Sequence, residues 1–214
     1  MLKLTVVDYG IGNTLSVCRA FQRFDADVCL SRDRSVIATS DRLVLPGVGA
    51  FQGGMNRLRE LGLDTSILQF AQSQRPFLGI CLGMQMMLDS SEEFGNHQGL
   101  GLIPGKVVAI PSAGSDSKQS YKIPHIGWNE LIVGREQSSW NNTILSTLPR
   151  RPYAYFVHSF TAIPDFPQHR LADTEYHGVR ISAAIMSGNL YGCQFHPEKS
   201  SDVGLRIISE FLKI

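Results

Sequence analysis

Pro76-Phe77-Leu78-Gly79-Ile80-Cys81-Leu82-Gly83-Met84 is the stretch whose reading decides the fold. Its apolar run suits a short buried strand. The glycine-x-cysteine-x-glycine that follows suits a tight strand-to-helix elbow with a nucleophile at its apex. The chemistry accounts for both glycines: a nucleophile on so sharp a turn carries backbone strain, and side chains at 79 and 83 would collide with neighbouring strands. The segment from Met84 to Asp89 is expected to start a helix whose N-terminal amides point at the cysteine, favouring a thiolate and facing a developing oxyanion. Taken alone, the pentapeptide equally suits a buried structural cysteine between two packing glycines.

Outward from the elbow the pattern repeats. Leu4-Thr5-Val6-Val7, Asp27-Val28-Cys29-Leu30 and Leu43-Val44-Leu45 also suit buried strands, while Leu15 to Phe24 and Leu63 to Ala71 carry apolar residues at helical spacing. Such alternation indicates crossover units on a parallel sheet. Further on, Ile181 to Met186, Ser187-Gly188-Asn189 and Leu190 to Phe195 read as a hairpin with a short polar turn. A last helix is expected from a cap near Ser201 or Asp202, with Val203, Ile207, Ile208, Phe211 and Leu212 as its inward stripe. Ser112 to Ser120 is small and polar and reads as a loop. With 214 residues, 43% of them hydrophobic, and neither repeat nor linker, residues 1–214 are expected to form one α/β domain. Its architecture would be a mostly parallel central sheet flanked by helices, with an additional antiparallel portion.

Composition excludes several classes of partner. Lys plus Arg number 20 against 19 Asp plus Glu, so no broad nucleic-acid footprint and no anionic membrane surface is expected. No apolar run approaches the roughly 20 residues of a membrane helix. The opening Met1 to Asp8 reads as a first strand rather than a signal peptide. Cys18, Cys29, Cys81 and Cys193 include no Cys-x-x-Cys pair, which fits reduced thiols and a cytoplasmic location.

Two more segments carry chemistry. In Gln194-Phe195-His196-Pro197-Glu198 the proline holds His196 extended, and residues two apart on an extended segment project to one side. Glu198 is thus expected to accept from one imidazole nitrogen while the other faces a nucleophile. In Leu45-Pro46-Gly47-Val48-Gly49-Ala50-Phe51 the two glycines leave backbone amides free to reorient, as a second oxyanion donor requires; a plain strand-to-helix turn has the same composition. An activated cysteine with a strand-borne His-x-Glu suits attack on an amide or ester carbonyl. Asp8-Tyr9-Gly10-Ile11-Gly12-Asn13 mimics a dinucleotide fingerprint, but Leu15 stands where the third glycine belongs. His97, His125, His158, His169 and His177 form no ligand pair, so neither metal nor cofactor is expected.

At this point the chain resembles a known family. Gly79 to Gln85, with His196-Pro197-Glu198, is similar to the triad-type class I glutamine amidotransferases, and in particular to the glutaminase subunits of imidazole glycerol phosphate synthase. The narrower resemblance rests on Tyr9 to Asn13, Pro46 to Phe51, Gly99 to Gly105, Pro124 to Asn129, Tyr155 to Phe160 and Gln194 to Ser200, in order along the whole chain. It implies that Cys81 attacks the side-chain amide of L-glutamine, with His196 as base and then acid and Glu198 orienting it. It also implies Val48 and Leu82 as oxyanion donors, and Gly49, Gln85, Ser159 and Phe160 as glutamine contacts. The implied partner is a cyclase subunit with a βα-barrel fold, docked at Asn13, His125, Trp128, Tyr155 and Lys199. There the ammonia gives imidazole glycerol phosphate and AICAR in histidine biosynthesis. Other classes stay open: a stand-alone cysteine hydrolase, an inactive scaffold, or the related vitamin B6 and anthranilate subunits. Gly127-Trp128-Asn129 and Tyr155 to His158 favour the histidine pathway over the last two.

Overall fold

A computed structural model describes residues 2–112 and 122–214. The first third alternates as the apolar pattern demands: β1 (Lys3–Val7), α1 (Thr14–Gln22), β2 (Asp27–Ser31), α2 (Arg34–Thr39), β3 (Arg42–Leu45), α3 (Phe51–Glu60), α4 (Leu63–Gln72) and β4 (Phe77–Ile80). Beyond the elbow come α5 (Leu82–Met86), β5 (Leu88–Ser91), β6 (His97–Gln98), β7 (Ile103–Ala109), β8 (His125–Glu130) and β9 (Ile132–Val133). The chain continues with β10 (Tyr153–His158), β11 (Phe160–Pro164), β12 (Arg170–Tyr176), β13 (Val179–Ser187), β14 (Leu190–Cys193) and α6 (Ser201–Phe211). Apart from Ser112, the expected loop to Ser120 lies outside the described residues.

An eight-stranded sheet runs in the order β2-β1-β3-β4-β14-β13-β12-β9. The pairings from β2 to β14 are parallel and those from β14 to β9 antiparallel, so the sheet is mixed, as the sequence pattern indicated. The decisive insertion is β14. Leaving the expected hairpin, it pairs with β4 in parallel from Leu190↔Phe77 to Cys193↔Ile80. The segment after residue 193 is thereby laid beside the segment after residue 80. Smaller sheets, β11-β7-β5-β6 and β10-β8, lie beyond the elbow.

Helices bury the sheet's faces. Ile207, Ile208 and Phe211 of α6 are buried, Val203 and Leu212 pack partly buried against the same cluster, and Phe211 meets Phe21 of α1 edge-to-face at 6.1 Å. The helix starts at Ser201 with Ser200 as its N-terminal flank, one residue earlier than expected. The Ser200 hydroxyl does not cap it, because it donates to the His196 carbonyl (2.7 Å) and accepts from the Tyr155 amide (3.0 Å).

The helix expected from Met84 to Asp89 is shorter and earlier, Leu82–Met86. The carbonyls that would continue it are taken from outside: Leu100 N–H donates to Met86 (2.8 Å), and Leu102 N–H to Met87 (2.8 Å). Tertiary hydrogen bonds thus override the local propensity and turn the chain into β5. No helix among the described residues is long and apolar enough to cross a membrane.

Candidate active site

At the end of β4 the chain turns on Cys81, whose φ of 54° and ψ of −110° lie outside the ordinary regions for a side-chain-bearing residue. The strain falls on the cysteine itself, and the flanking glycines serve close packing. A Cβ at Gly83 would stand 1.8 Å from the Leu45 carbonyl oxygen, and one at Gly79 would be 2.6 Å from Met87 Sδ and 2.7 Å from the Met84 nitrogen. The Cys81 amide donates to Cys193 O (2.7 Å), extending the β4–β14 ladder to the apex of the turn, and Cys81 O accepts the first bond of α5 from Gln85 (3.1 Å). Strand pairing therefore stabilises a backbone that costs on the order of 1–3 kcal/mol.

The same ladder delivers His196. Its backbone is extended (φ −99°, ψ 99°), as the following proline requires, but Pro197–Lys199 is a 3₁₀ turn rather than the extended run expected from the sequence. Glu198 consequently folds back beneath the ring, and His196 Nδ1 lies 2.8 Å from its Oε1, with both side chains nearly inaccessible at 3% and 1%. Since the carboxylate only accepts, Nδ1 carries a proton and Nε2 is left to face Cys81. Nε2 closes no hydrogen bond of its own. Burial opposes the imidazolium, but the adjoining Cys81 sulphur and the Glu198 carboxylate outweigh it and hold the His196 pKa at about 9.

Cys81 and His196 share a cavity of about 470 Å³ with Val48, Gly49, Leu82, Gln85, Ser159 and Phe160. Gly49 adopts φ +90°, which a side chain would resist. A Cβ on Gly47 would stand 2.6 Å from Tyr9 Oη and 2.9 Å from Leu82 Cβ, and the Tyr9 hydroxyl ties this turn down by donating to Pro46 O (2.9 Å). The Leu82 amide donates to Gly47 O (3.3 Å). Because C=O and N–H of a trans peptide point in opposite directions, the Val48 N–H in this state points away from Leu82.

Residues that no spacing in the sequence tied to Cys81 also reach the cavity. Glu93 and Phe94 line its mouth, carried there by the β5–β7–β11 pairings. Glu93 Oε2 accepts from the Phe51 amide at the start of α3 (2.6 Å). Phe94, 86% exposed at a φ of +54°, meets Phe160 edge-to-face at 6.4 Å. Gln194, noticed in the sequence only as a neighbour of His196, is fully buried beside Cys81.

The residues expected at a docking surface divide by strand alternation. Trp128 and Tyr155 are cross-strand partners with ring centroids 6.0 Å apart. Trp128 is 49% exposed and therefore not core, and Ile126 and Val157 continue the same apolar face; Asn13 and Lys199 are exposed too. His125 is the exception. It points inward, is 1% exposed, and stacks between Phe156 (4.8 Å) and Tyr176 (4.2 Å), so its side chain is no surface contact. Its Nδ1 lies 2.9 Å from His158 Nε2. His158 Nδ1 donates to Phe160 O (2.8 Å), which leaves Nε2 as acceptor and makes His125 the donor. Burial pushes both imidazoles down, to about 4 for His125 and about 3 for His158. Among the described residues no group of three or more His, Cys, Asp or Glu could hold a metal ion.

The chain is similar to known proteins along its whole length. The family profile described as Glutamine amidotransferase class-I matches residues 5–214. The chain is 58% identical over 214 residues to the imidazole glycerol phosphate synthase subunit HisH 1 of Legionella pneumophila (strain Lens), with both chains fully covered. It is 41% identical over 208 residues to the HisH subunit of Syntrophotalea carbinolica, covering 97% of this chain and 98% of that one. Among solved structures, a glutamine amidotransferase superposes with a TM-score of 0.71 at 15% identity, covering 98% of this chain and 99% of the other, which speaks to the fold alone. With a family profile spanning nearly the whole sequence and relatives alike from end to end, the chain belongs to the class I glutamine amidotransferases and, within them, to the HisH subunits of imidazole glycerol phosphate synthase.

Proposed function

We propose that the chain, acting as one domain, releases ammonia from L-glutamine for a synthase partner, with Cys81, His196 and Glu198 as its catalytic triad. The observation that carries the reading is the shared cavity: a strained cysteine and a carboxylate-held imidazolium meet where a small amide substrate fits. The Cys81 sulphur, as thiolate, attacks the carboxamide carbon. The imidazolium of His196 gives its proton to the departing nitrogen, and ammonia leaves a thioester. His196, now neutral, takes a proton from water, which attacks the thioester and releases glutamate; the proton returns with the sulphur's departure. Glu198 keeps Nδ1 protonated throughout.

Leu82 and Val48 are the proposed oxyanion donors. Gly47 O now holds the Leu82 amide, so the Gly47–Val48 peptide must turn over before either N–H faces the substrate oxygen. One such donor contributes about 10²–10³ in rate, and the unturned peptide predicts weak glutaminase activity for the subunit alone. Gly49, Ser159 and Phe160 contribute backbone and ring to the glutamine pocket, and the Glu93 carboxylate at its mouth suits an α-ammonium.

The partner is a cyclase subunit of βα-barrel fold, which would dock on the apolar face of exposed Trp128, Ile126 and Val157 and half-buried Tyr155, with Asn13 and Lys199, both exposed, as further contacts. Ammonia released under such a docked partner then reaches the nucleotide without equilibrating with solvent. Glutaminase assays on the purified chain, alone and with a cyclase subunit and its nucleotide, test the whole reading beside Cys81→Ala. Glutamate formed mainly in the complex and lost in Cys81→Ala is the expected result; full turnover by the subunit alone removes the gating step, and an active Cys81→Ala removes the triad.

A further inference from the structure

Gln194 sits immediately before Phe195 and His196, is fully buried, and is absent from the cavity lining. Its side chain nevertheless reaches the reacting atom: Nε2 lies 3.7 Å from Cys81 Sγ, within range for a hydrogen bond to sulphur. The opposite end of the amide is fixed. Gln85 Nε2 lies 3.0 Å from Gln194 Oε1 and 3.2 Å from Phe160 O. Phe160 O accepts only, so the Gln85 group facing it is the NH₂, and that same NH₂ faces Gln194. Turning Gln194 over would set two NH₂ groups against each other and aim a carbonyl oxygen at the sulphur. Phe160 O is held in turn by His158 Nδ1 (2.8 Å). Phe160 O thus accepts from both His158 and Gln85, and from Gln85 onward donation runs one way, through Gln194 to the Cys81 sulphur.

Resting on the assignment of Cys81 as nucleophile, we infer that Gln194 is a further residue of the reacting centre: its amide donates to the Cys81 sulphur, favours the thiolate and aims it at the carboxamide carbon. A donor at a buried anion is worth more than one in water, and a sulphur anion gains from it where a neutral thiol gains little. A purely structural role would be satisfied by any side chain that fills the space. The other ionisable groups around the sulphur are few: His196 and Glu198 from the turn after β14, Cys193 from β14, and Tyr9 from the end of β1, whose burial keeps its phenol protonated. Glu93 and His158 line the same cavity. None of these shares a hydrogen bond with Gln194 in the structure. Gln85 acquires a role as well, since both its donor contacts run to protein and only its Oε1 is left to accept from glutamine.

The test is the pH profile of Cys81 alkylation by iodoacetamide, read at the Cys81 peptide by mass spectrometry, in a Cys29→Ser background that removes the exposed thiol. Gln194→Met keeps the volume and deletes the donor; Gln194→Glu replaces it with an acceptor. Relative to the parent, the midpoint should rise in Gln194→Met, leaving about three- to tenfold less thiolate at neutral pH, and rise further in Gln194→Glu. In the complex, kcat should fall by a similar factor with KM unchanged within about twofold, because Gln194 does not line the cavity. Should Gln194→Met not fold, Gln85→Met leaves Gln194 in place but frees its orientation, and a smaller upward shift is expected. Superimposable profiles in the folded variants overturn the inference. Cys81→Ala separates the two readings: if it retains glutaminase activity the nucleophile assignment fails, and if it is silent while the profiles coincide, only the role of Gln194 fails.

Discussion

Lowering the pH from 7 to 5 should destabilise this fold by about 3 kcal/mol, through two buried histidines. His125 and His158 are 1% and 6% exposed; His125 Nδ1 donates to His158 Nε2, which accepts only while His158 is neutral, and burial keeps His125 neutral beside it. Both pKa values lie below the ordinary 6.5, at about 4 and about 3. A depressed value means the unfolded chain takes up the proton first, so the stabilisation is complete above pH 6.5 and is lost as the pH falls toward the folded values. Between pH 7 and 5 each imidazole accounts for about 2 kcal/mol. His196 acts in the opposite sense. Its raised value, about 9, contributes stability that is full below 6.5 and lost as pH rises through 9, and it returns about 1 kcal/mol over the same interval. For 214 residues the unfolding entropy near the midpoint is about 0.45 kcal/mol per degree, so the net change lowers Tm by about 7 °C. Calorimetric or circular-dichroism melts at the two pH values measure it. His158→Asn, whose amide takes the place of Nδ1 toward Phe160 O, should lose absolute stability yet show a pH-dependent drop smaller by about 2 kcal/mol. A wild-type Tm that moves less than about 2 °C, or a drop unchanged in His158→Asn, would refute the buried neutral pair.

Steady-state glutaminase activity of the complex should fall as pH rises through about 9, where His196 loses the proton it gives to ammonia, and a flat alkaline limb to pH 10 would remove the imidazolium from the mechanism. Gly47→Ala puts a Cβ 2.6 Å from Tyr9 Oη and 2.9 Å from Leu82 Cβ. It should cost about 1–3 kcal/mol in urea melts and abolish turnover by locking the peptide that must turn. Asp173 is fully buried between the guanidinium groups of Arg170 (2.6 Å) and Arg180 (2.7 Å). Asp173→Ala leaves both unpaired beneath β12 and β13, and because they are partly solvated a loss of about 3 kcal/mol is expected by urea denaturation, with less than 1 kcal/mol counting against the ion triad.

The amino-acid sequence by itself determined the alternation of β1 to β4 with α1 and α4, the hairpin of β13 and β14, and the elbow at Cys81. Those signals are local: apolar period, glycine spacing and a proline that forbids helix at His196. It also determined which side chains had the chemistry, since few residue types can attack an amide or hold an imidazole. What it left open depended on partners distant in the chain. The helix after the elbow stops at Met86 because amides of residues 100 and 102 take its carbonyls. Glu198 reaches His196 through a 3₁₀ turn, a conformation that residue-by-residue alternation does not encode. Strand register turned His125 inward and Trp128 outward, where their motif alone had put them on one surface. Gln194 was legible only as a neighbour of His196, and Glu93 and Phe94 not at all, because their relation to Cys81 exists only once β14 lies beside β4 and β5 joins β7. The state of the Gly47–Val48 peptide belongs to the same class: both of its orientations suit the sequence, and a single tertiary hydrogen bond, from the Leu82 amide to Gly47 O, selects one.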